Sequence, residues 1–269
     1  MTRQRSTTPA NPDHPSDATT ISHRDREPSA PRSPRGRLFL IPTSLQQPEE
    51  ARPWLLDADR AEVARLTHFF VETPKTARRW LGQIGLDRPL QEVSIRALPK
   101  GDERLEASDW LAPLLAGEDA GLLSDAGCPG VADPGARLVA AAHAAGVEVR
   151  PLIGPSSILL GLMASGLDGQ RFVFHGYLPT AADERRQTIE RLAKRSASER
   201  ETQMLIETPY RNQAMAEALI QHLPERTRLC LATDLTGNEQ SIVTRTVAQW
   251  KKHPPTMPSK RPALFLFLA

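Results

Sequence analysis

From Arg37 onward the chain alternates short apolar runs with amphipathic stretches, and this alternation constrains the fold more than any other feature. LFLIP (38–42) reads as a buried strand, DADRAEVARL (57–66) as a helix and THFFVE (67–72) as a second strand. Pro74, tolerated in a first helical turn, opens a helix over PKTARRWLGQIG. QEVSIRAL (91–98) alternates as a strand does, and SDWLAPLLAG (108–117) is helical with Ser108 as its N-cap. AGLLS (120–124) is a strand, Gly135 to Ala145 a helix ended by Gly146, and VEVRPL (147–152) another strand. The pattern then restarts. Helix SSILLGLMASG, strand RFVFHGYLP, charged helix DERRQTIERLAKRSAS, strand TQMLIE and the proline-led helix PYRNQAMAEALIQHL follow in order. RLCLATDL, SIVTRTV and PALFLFL read as closing strands. Such alternation predicts α/β architecture with mainly parallel sheets, and the strands that follow one another late add an antiparallel portion to the second half.

The 269 residues suit two domains. The expected junction is Pro151 to Pro155, giving an N-terminal α/β domain over 37–152 and a C-terminal α/β domain over 153–269. Residues 1–36 are different in kind. They hold six prolines, six arginines, four acidic residues and no aromatic side chain. Such a segment cannot offset its ordering entropy by burial and reads as a disordered tail. Asp13, Asp17, Asp25 and Glu27 argue against a transit peptide.

The net charge of +2 sits in that tail, because the remaining residues carry 28 basic and 28 acidic groups. Bulk charge therefore gives no argument for nucleic-acid binding. The longest near-apolar stretch, ILLGLMASG, falls far short of the roughly 20 residues that span a bilayer. No membrane partner is expected, and the cytoplasm is the expected compartment. Cys128 and Cys230 have no CxxC partner, and the seven histidines lack ligand spacing, so neither a disulfide framework nor a metal is expected.

One loop stands out. DAGCPGVADPG (125–135) packs three glycines, two prolines and two aspartates between a strand and a helix. Ligands of open α/β sheets bind beyond the carboxyl ends of strands, which is where this loop lies. Gly127, Gly130 and Gly135 permit close backbone approach, while Pro129 and Pro134 stiffen the turns. Asp133 can cap the helix with Pro134 at its first position. A tight strand-to-helix connector would use the same residues. Phosphate is a poor ligand here, because there is no GK[ST] or GxGxxG and two aspartates would repel it. A ligand with cationic and neutral polar parts, such as S-adenosylmethionine (SAM), suits the loop better. PLIGPSS (151–157) repeats the theme, and two such loops beside a domain boundary make a cleft.

The ordered series SDAGCPGVADPGARLV, PLIGPSSILLGLMASG, FHGYLP and ETPYR, with VETPKTARRWL before it and ATDLTGNEQ after it, resembles the tetrapyrrole methylase superfamily of SAM-dependent methyltransferases. The likeness is greatest to the branch that contains the bacterial small-subunit rRNA ribose 2′-O-methyltransferase, and it spans about Arg37 to Ala269. The resemblance implies two α/β domains with SAM in the cleft between them, often in a homodimer, and RNA as the methyl acceptor. It implies cofactor contacts from Asp125, Ala126, Gly127, Cys128 and Pro129, with Val131 and Ala132 in the same loop. Gly154, Pro155, Ser156 and Ser157 would form the second wall, joined by Tyr177, Leu178 and Ala232, with Pro42 and Thr43 in the first-strand loop. The chain departs from the branch at several positions, and the charged changes among them fall on the acceptor side. Cys128 stands for a usual Thr and His175 for a usual Glu; ETPK replaces EDTR, and ATDLTG replaces ARELTK. A different small or macromolecular acceptor, or a non-catalytic module that binds SAM or S-adenosylhomocysteine, are the alternatives.

Methyl transfer requires alignment, which supplies roughly 7–11 kcal/mol, and for a hydroxyl acceptor a base worth about 10²–10⁴ in rate. Glu72 and Glu207 both end strands, and either could be that base or a carboxylate stabilised by the following helix N-terminus. Arg211 could orient an acceptor or pair with Glu207. His175 reads as a satisfied core histidine or as a catalytic group beside Gly176 and Tyr177.

Overall fold

Strand β4 (Ala120–Leu123) is buried at all four residues, which requires cover on both faces of its sheet. The computed structural model describes residues 35–99 and 106–269 and supplies that cover. β1 (Arg37–Ile41), β2 (His68–Val71), β3 (Ser94–Ala97), β4 and β5 (Glu148–Pro151) form one parallel sheet in the order β3-β2-β4-β1-β5. Helices α1 (Asp57–Ala64) and α2 (Pro74–Ile84) cover one face, where Val63, Trp80 and Leu81 pack on Phe39, Ile41 and Phe69. Helices α3 (Ala107–Leu115) and α4 (Ala136–Ala144) cover the other, where Trp110, Leu114 and Leu138 pack on Leu38, Phe70 and Leu122. Adjacent strand residues thus feed opposite cores, so the strands read as continuous apolar runs. Gly121 has no side chain because a Cβ there would lie 2.5 Å from Ile41 Cδ1 and 2.9 Å from Phe69 Cδ1.

The second sheet follows α5 (Ser157–Ser165). β6 (Phe172–Tyr177), β7 (Thr202–Glu207), β8 (Arg228–Thr233), β9 (Ser241–Thr246) and β10 (Ala263–Leu268) run in the order β6-β7-β10-β8-β9. Only β6 and β7 pair in parallel; the antiparallel portion takes in the other three pairings. β10 lies in the middle, and its alternation divides the second core. Phe265 and Phe267 face α6 (Ala182–Glu199), α7 (Asn212–His222) and α8 (Val247–Lys252), whereas Leu264 and Leu266 face α5. Two α/β layers result, as the alternation of elements predicts.

Several local expectations are corrected. Ser108 lies inside α3, whose N-cap position is Glu106 without a side-chain cap. Asp133 and Pro134 do not start α4: the helix begins at Ala136 after Gly135, whose φ of 135° only glycine adopts readily. The strand expected over 91–98 shrinks to Ser94–Ala97 after a 3-10 turn at Leu90–Glu92. Pro209 opens a 3-10 turn, Pro209–Arg211, and α7 starts only at Asn212. α8 was not expected; Thr246 and Gln249 form a reciprocal capping box that starts it. The tail expected over 1–36 lies outside the described residues except for Arg35 and Gly36, and the Gly36 amide donates to the Leu114 carbonyl at 2.8 Å.

Candidate active site

The first sheet has a topological switch. From β1 the chain moves to β2 and β3 on one side, then returns through β4 to β5 on the other. β1 and β4 are neighbours whose outgoing connections diverge, and a crevice opens beyond their carboxyl ends. Thr43 and Gly127 bridge its floor, exchanging backbone hydrogen bonds of 2.8 and 3.2 Å.

The loop from Asp125 to Gly135 is fixed from behind. The Asp125 amide donates to Glu72 Oε2 at 3.0 Å, and Trp80 Nε1 donates to the Asp125 carbonyl at 3.0 Å. Trp54 meets Trp80 edge-on, with ring centroids 4.8 Å apart, and donates to the Pro42 carbonyl at 2.8 Å. The turns at the strand ends are therefore held by side chains that approach from outside the crevice, leaving small groups on the inside. Gly127 takes φ 76°, and Ala132 is held at φ 63°, unusual for a residue with a Cβ. The loop after β5 closes on this frame: a Cβ on Gly154 would collide with the Pro42 ring, and Cys128 Sγ lies 3.5 Å from the Pro155 carbonyl.

The second sheet provides the opposite wall. Gln46 Nε2 donates to the Leu235 carbonyl at 2.8 Å, joining the first-strand loop to the end of β8. The cleft has a volume of about 290 Å³, near the lower end of ligand pockets. Ten of the residues named from sequence line it: Ala126, Gly127, Cys128, Val131, Ala132, Ser156, Ser157, Tyr177, Glu207 and Ala232. Pro42, Thr43, Asp125, Gly154 and Pro155 are not among its lining residues and form the frame around it, and Pro129 does not line it either. Glu72 also stands behind the loop, through its bond to the Asp125 amide.

Two of the named residues point elsewhere. Leu178 is buried in the core under α6 and α7. His175 Nε2 lies 2.7 Å from Gln203 Oε1 and does not line the cleft; Phe174, its neighbour on the strand, does. Strand alternation sends the two side chains to opposite faces. Arg211 does not line the cleft but pairs with Glu207, which does, its Nη2 3.1 Å from Glu207 Oε2. That contact is an ion pair set off the hydrogen-bond direction, because Glu207 Oε2 has no hydrogen-bond partner, whereas Oε1 accepts from the Thr208 amide at 2.8 Å.

Sequence reasoning missed the start of β10, where Pro262, Ala263 and Leu264 line the cleft. An antiparallel central strand brings its amino end beside the carboxyl ends of its neighbours, so looking only past strand ends overlooks it. Gln46 and Asp133 were missed as well; Asp133 carried the signal of a second aspartate in a loop already singled out.

The lining contains no lysine, arginine or histidine. Burial, then the nearby Glu72 and Asp125 carboxylates, push the Asp133 carboxyl up to about 7, opposed by the neighbouring Ser124 hydroxyl. Burial first, then Asp133, Glu207 and Glu72, raise the Tyr177 phenol. Burial, then Asp133, raise the Cys128 thiol. Such a cleft disfavours added negative charge and suits a cation or a neutral polar ligand. Its small-residue wall and acidic rim fit the adenosine and sulfonium parts of SAM.

Fold and cleft together define a two-layered α/β protein with a cleft at the switch point between its sheets. Residues 40–250 match the family model of Tetrapyrrole (Corrin/Porphyrin) Methylases, and the chain belongs to that family. It is similar to the ribosomal RNA small subunit methyltransferase I of Escherichia coli O157:H7, 34% identical over 77% of this chain and 68% of that protein. It is also similar to the proteins of that name from Xylella fastidiosa, 39% identical over 48% of this chain, and Synechocystis, 41% identical over 48%. These two matches span 45% and 44% of the relatives, so the chain covers about half the length of the first curated relatives it matches. The crystal structure of the methyltransferase CobJ superposes with a TM-score of 0.53 over 87% of this chain and 94% of CobJ, at 17% identity, which is a likeness of fold.

Proposed function

We propose that the protein is a SAM-dependent methyltransferase whose acceptor is RNA, at a ribose 2′-oxygen of rRNA. The observation that carries the cofactor part of this reading is the cleft, walled by the Asp125–Gly135 loop and the Gly154–Ser157 loop and free of basic side chains that would repel a sulfonium. The family and its rRNA methyltransferase relatives support the reaction and the acceptor.

SAM, when bound, supplies an activated methyl group on a sulfonium. The chain's residues bind, orient and exclude water. Main-chain groups of Ala126, Gly127 and Cys128 and the hydroxyls of Ser156 and Ser157 hold the nucleoside and amino-acid parts. Ala232, fully buried, leaves room at the floor. Glu72 positions the loop through the Asp125 amide. Glu207 and Arg211 orient the acceptor, and Tyr177, 58% exposed, covers the entrance. Good alignment of this kind accounts for roughly 7–11 kcal/mol of barrier.

We read the protein as a cytoplasmic homodimer. Ile153, Leu159 and Met163 support the dimer: they are 69%, 54% and 79% exposed, and the last two lie one turn apart on α5. No helix among the described residues is long and apolar enough to cross a membrane. Light scattering that returns a monomer mass would remove the dimer.

A second reading keeps the reaction and changes the acceptor. It is favoured by the same lack of basic lining residues, which leaves no cation inside the cleft to meet a phosphate. The experiment is transfer from tritiated SAM into extracts of a strain lacking the protein. Label in small-subunit RNA supports the first reading; label only in small molecules supports the second; no label with tight SAM binding leaves a binding module.

A further inference from the structure

Asp133 lines the cleft, and none of the roles above uses it. Two other carboxylates nearby, Glu207 and Glu72, are engaged. Glu207 Oε1 accepts from the Thr208 amide and hydroxyl, and its Oε2 faces Arg211 at 3.1 Å. Glu72 carries the Asp125 amide. Asp133 lies near Ser124, whose hydroxyl donates to the Ala126 and Gly127 carbonyls of the same loop at 3.4 and 3.5 Å. The charged and titratable groups around it are Glu72 from the end of β2, Asp125 and Cys128 from its own loop, Tyr177 from β6, and Glu207 from the end of β7 through its effect on the same phenol.

We propose that Asp133 is the proton acceptor for methyl transfer in this cleft, an inference that rests on the methyltransferase reading. The acceptor hydroxyl oxygen attacks the sulfonium methyl carbon. A C–O bond forms, the C–S bond breaks with its electron pair going to sulfur, and the hydroxyl proton passes to an Asp133 oxygen. A sulfonium cation and a carboxylate become a thioether and a carboxylic acid, so no unpaired charge is left in the cleft. The sulfonium favours the ionised carboxylate before transfer, and its loss favours the protonated carboxyl afterwards. With the cleft empty, burial and the facing acids hold this group near neutrality at about 7, where a general base works best.

Two measurements test this. The first is calorimetry of the wild type and Asp133→Asn with SAM and with S-adenosylhomocysteine at pH 7, in buffers of different ionisation enthalpy. SAM should release more protons from the wild type than S-adenosylhomocysteine does, because only SAM carries the sulfonium. In D133N that difference should vanish while SAM affinity changes less than about tenfold (about 1.4 kcal/mol). The second is single-turnover transfer from tritiated SAM into whichever product the wild type labels in the deletion-strain extract. The wild-type rate should rise with pH along a one-proton limb and level off. D133N should lose about 10²–10⁴ in rate together with the limb, and Asp133→Glu should keep part of both. A D133N protein that is as fast as wild type, keeps the limb, or melts normally but no longer binds SAM overturns the proposal; in the last case Asp133 is a cation ligand. A wild type that binds no SAM, or binds it and transfers nothing, overturns the functional reading and this inference together. An active wild type beside an indifferent D133N overturns the inference alone.

Discussion

Glu72, the residue after β2, accepts a hydrogen bond from the Asp125 amide, the second residue after β4, at 3.0 Å. One carboxylate thus fixes the start of the cleft loop and, through its charge, raises the Asp133 carboxyl. Glu72→Gln keeps an acceptor oxygen and removes the charge, so the Asp133 midpoint should fall; carboxyl-carbon NMR titration measures it. Glu72→Ala also leaves the amide unmatched, at a cost of about 1–3 kcal/mol in folding stability. An unmoved midpoint in E72Q would break the electrostatic link.

The same carboxyl makes stability depend on pH. Its folded value of about 7 lies above the ordinary aspartate value, so the native state holds a proton that the unfolded chain has released. The stabilisation is full below pH of about 4 and is lost as pH rises through about 7. Across that window the wild type should lose about 1–2 kcal/mol relative to D133N, a figure reduced for solvent screening of a half-buried group. Paired urea melts at pH 4.5 and 7.5 check the sign; a difference that grows in favour of the wild type contradicts it.

Gly154 adopts an ordinary backbone conformation, so only the Pro42 ring forbids a side chain there. Gly154→Val should push the two loops apart, costing about 1–3 kcal/mol and weakening SAM binding. Gly82, in α2 with open space around it, is the control: Gly82→Ala should stabilise by about 0.5–1 kcal/mol and leave SAM binding alone. Thermal melts with and without SAM compare the two.

Arg211 meets a Glu207 side chain that is 2% exposed. Arg211→Ala leaves that buried carboxylate without its cation and should destabilise by about 1–3 kcal/mol. If Arg211 also orients the acceptor, the KM for the acceptor should rise while the SAM Kd stays near wild type. A rise in the SAM Kd alone would move the pair to the cofactor side.

Much of this was legible in the chain itself. The alternation of elements indicated two α/β layers, and the glycine-proline loop marked a strand end that does border the cleft. The pieces that escaped have physical reasons. Asp133 resembles a helix cap in sequence, but Gly135 turns the chain away and the residue lines the cleft instead. β10 lies between β7 and β8, a long-range pairing that no local pattern encodes, and so Pro262 to Leu264 could not be assigned to the cleft. His175 and Phe174 differ by one step along β6, and a strand bulge beyond Phe174, with Gly176 at φ 64°, obscures which of them faces inward. The Trp54–Trp80 pair that holds the loops from behind is likewise a contact between distant segments.

The most direct test is a crystal structure of the protein grown with SAM. The account predicts adenosyl density between the main chain of Ala126 to Cys128 and Ala232, with the sulfonium on the Asp133 side. Density elsewhere on the molecule, or a bare cleft at saturating SAM, would contradict it.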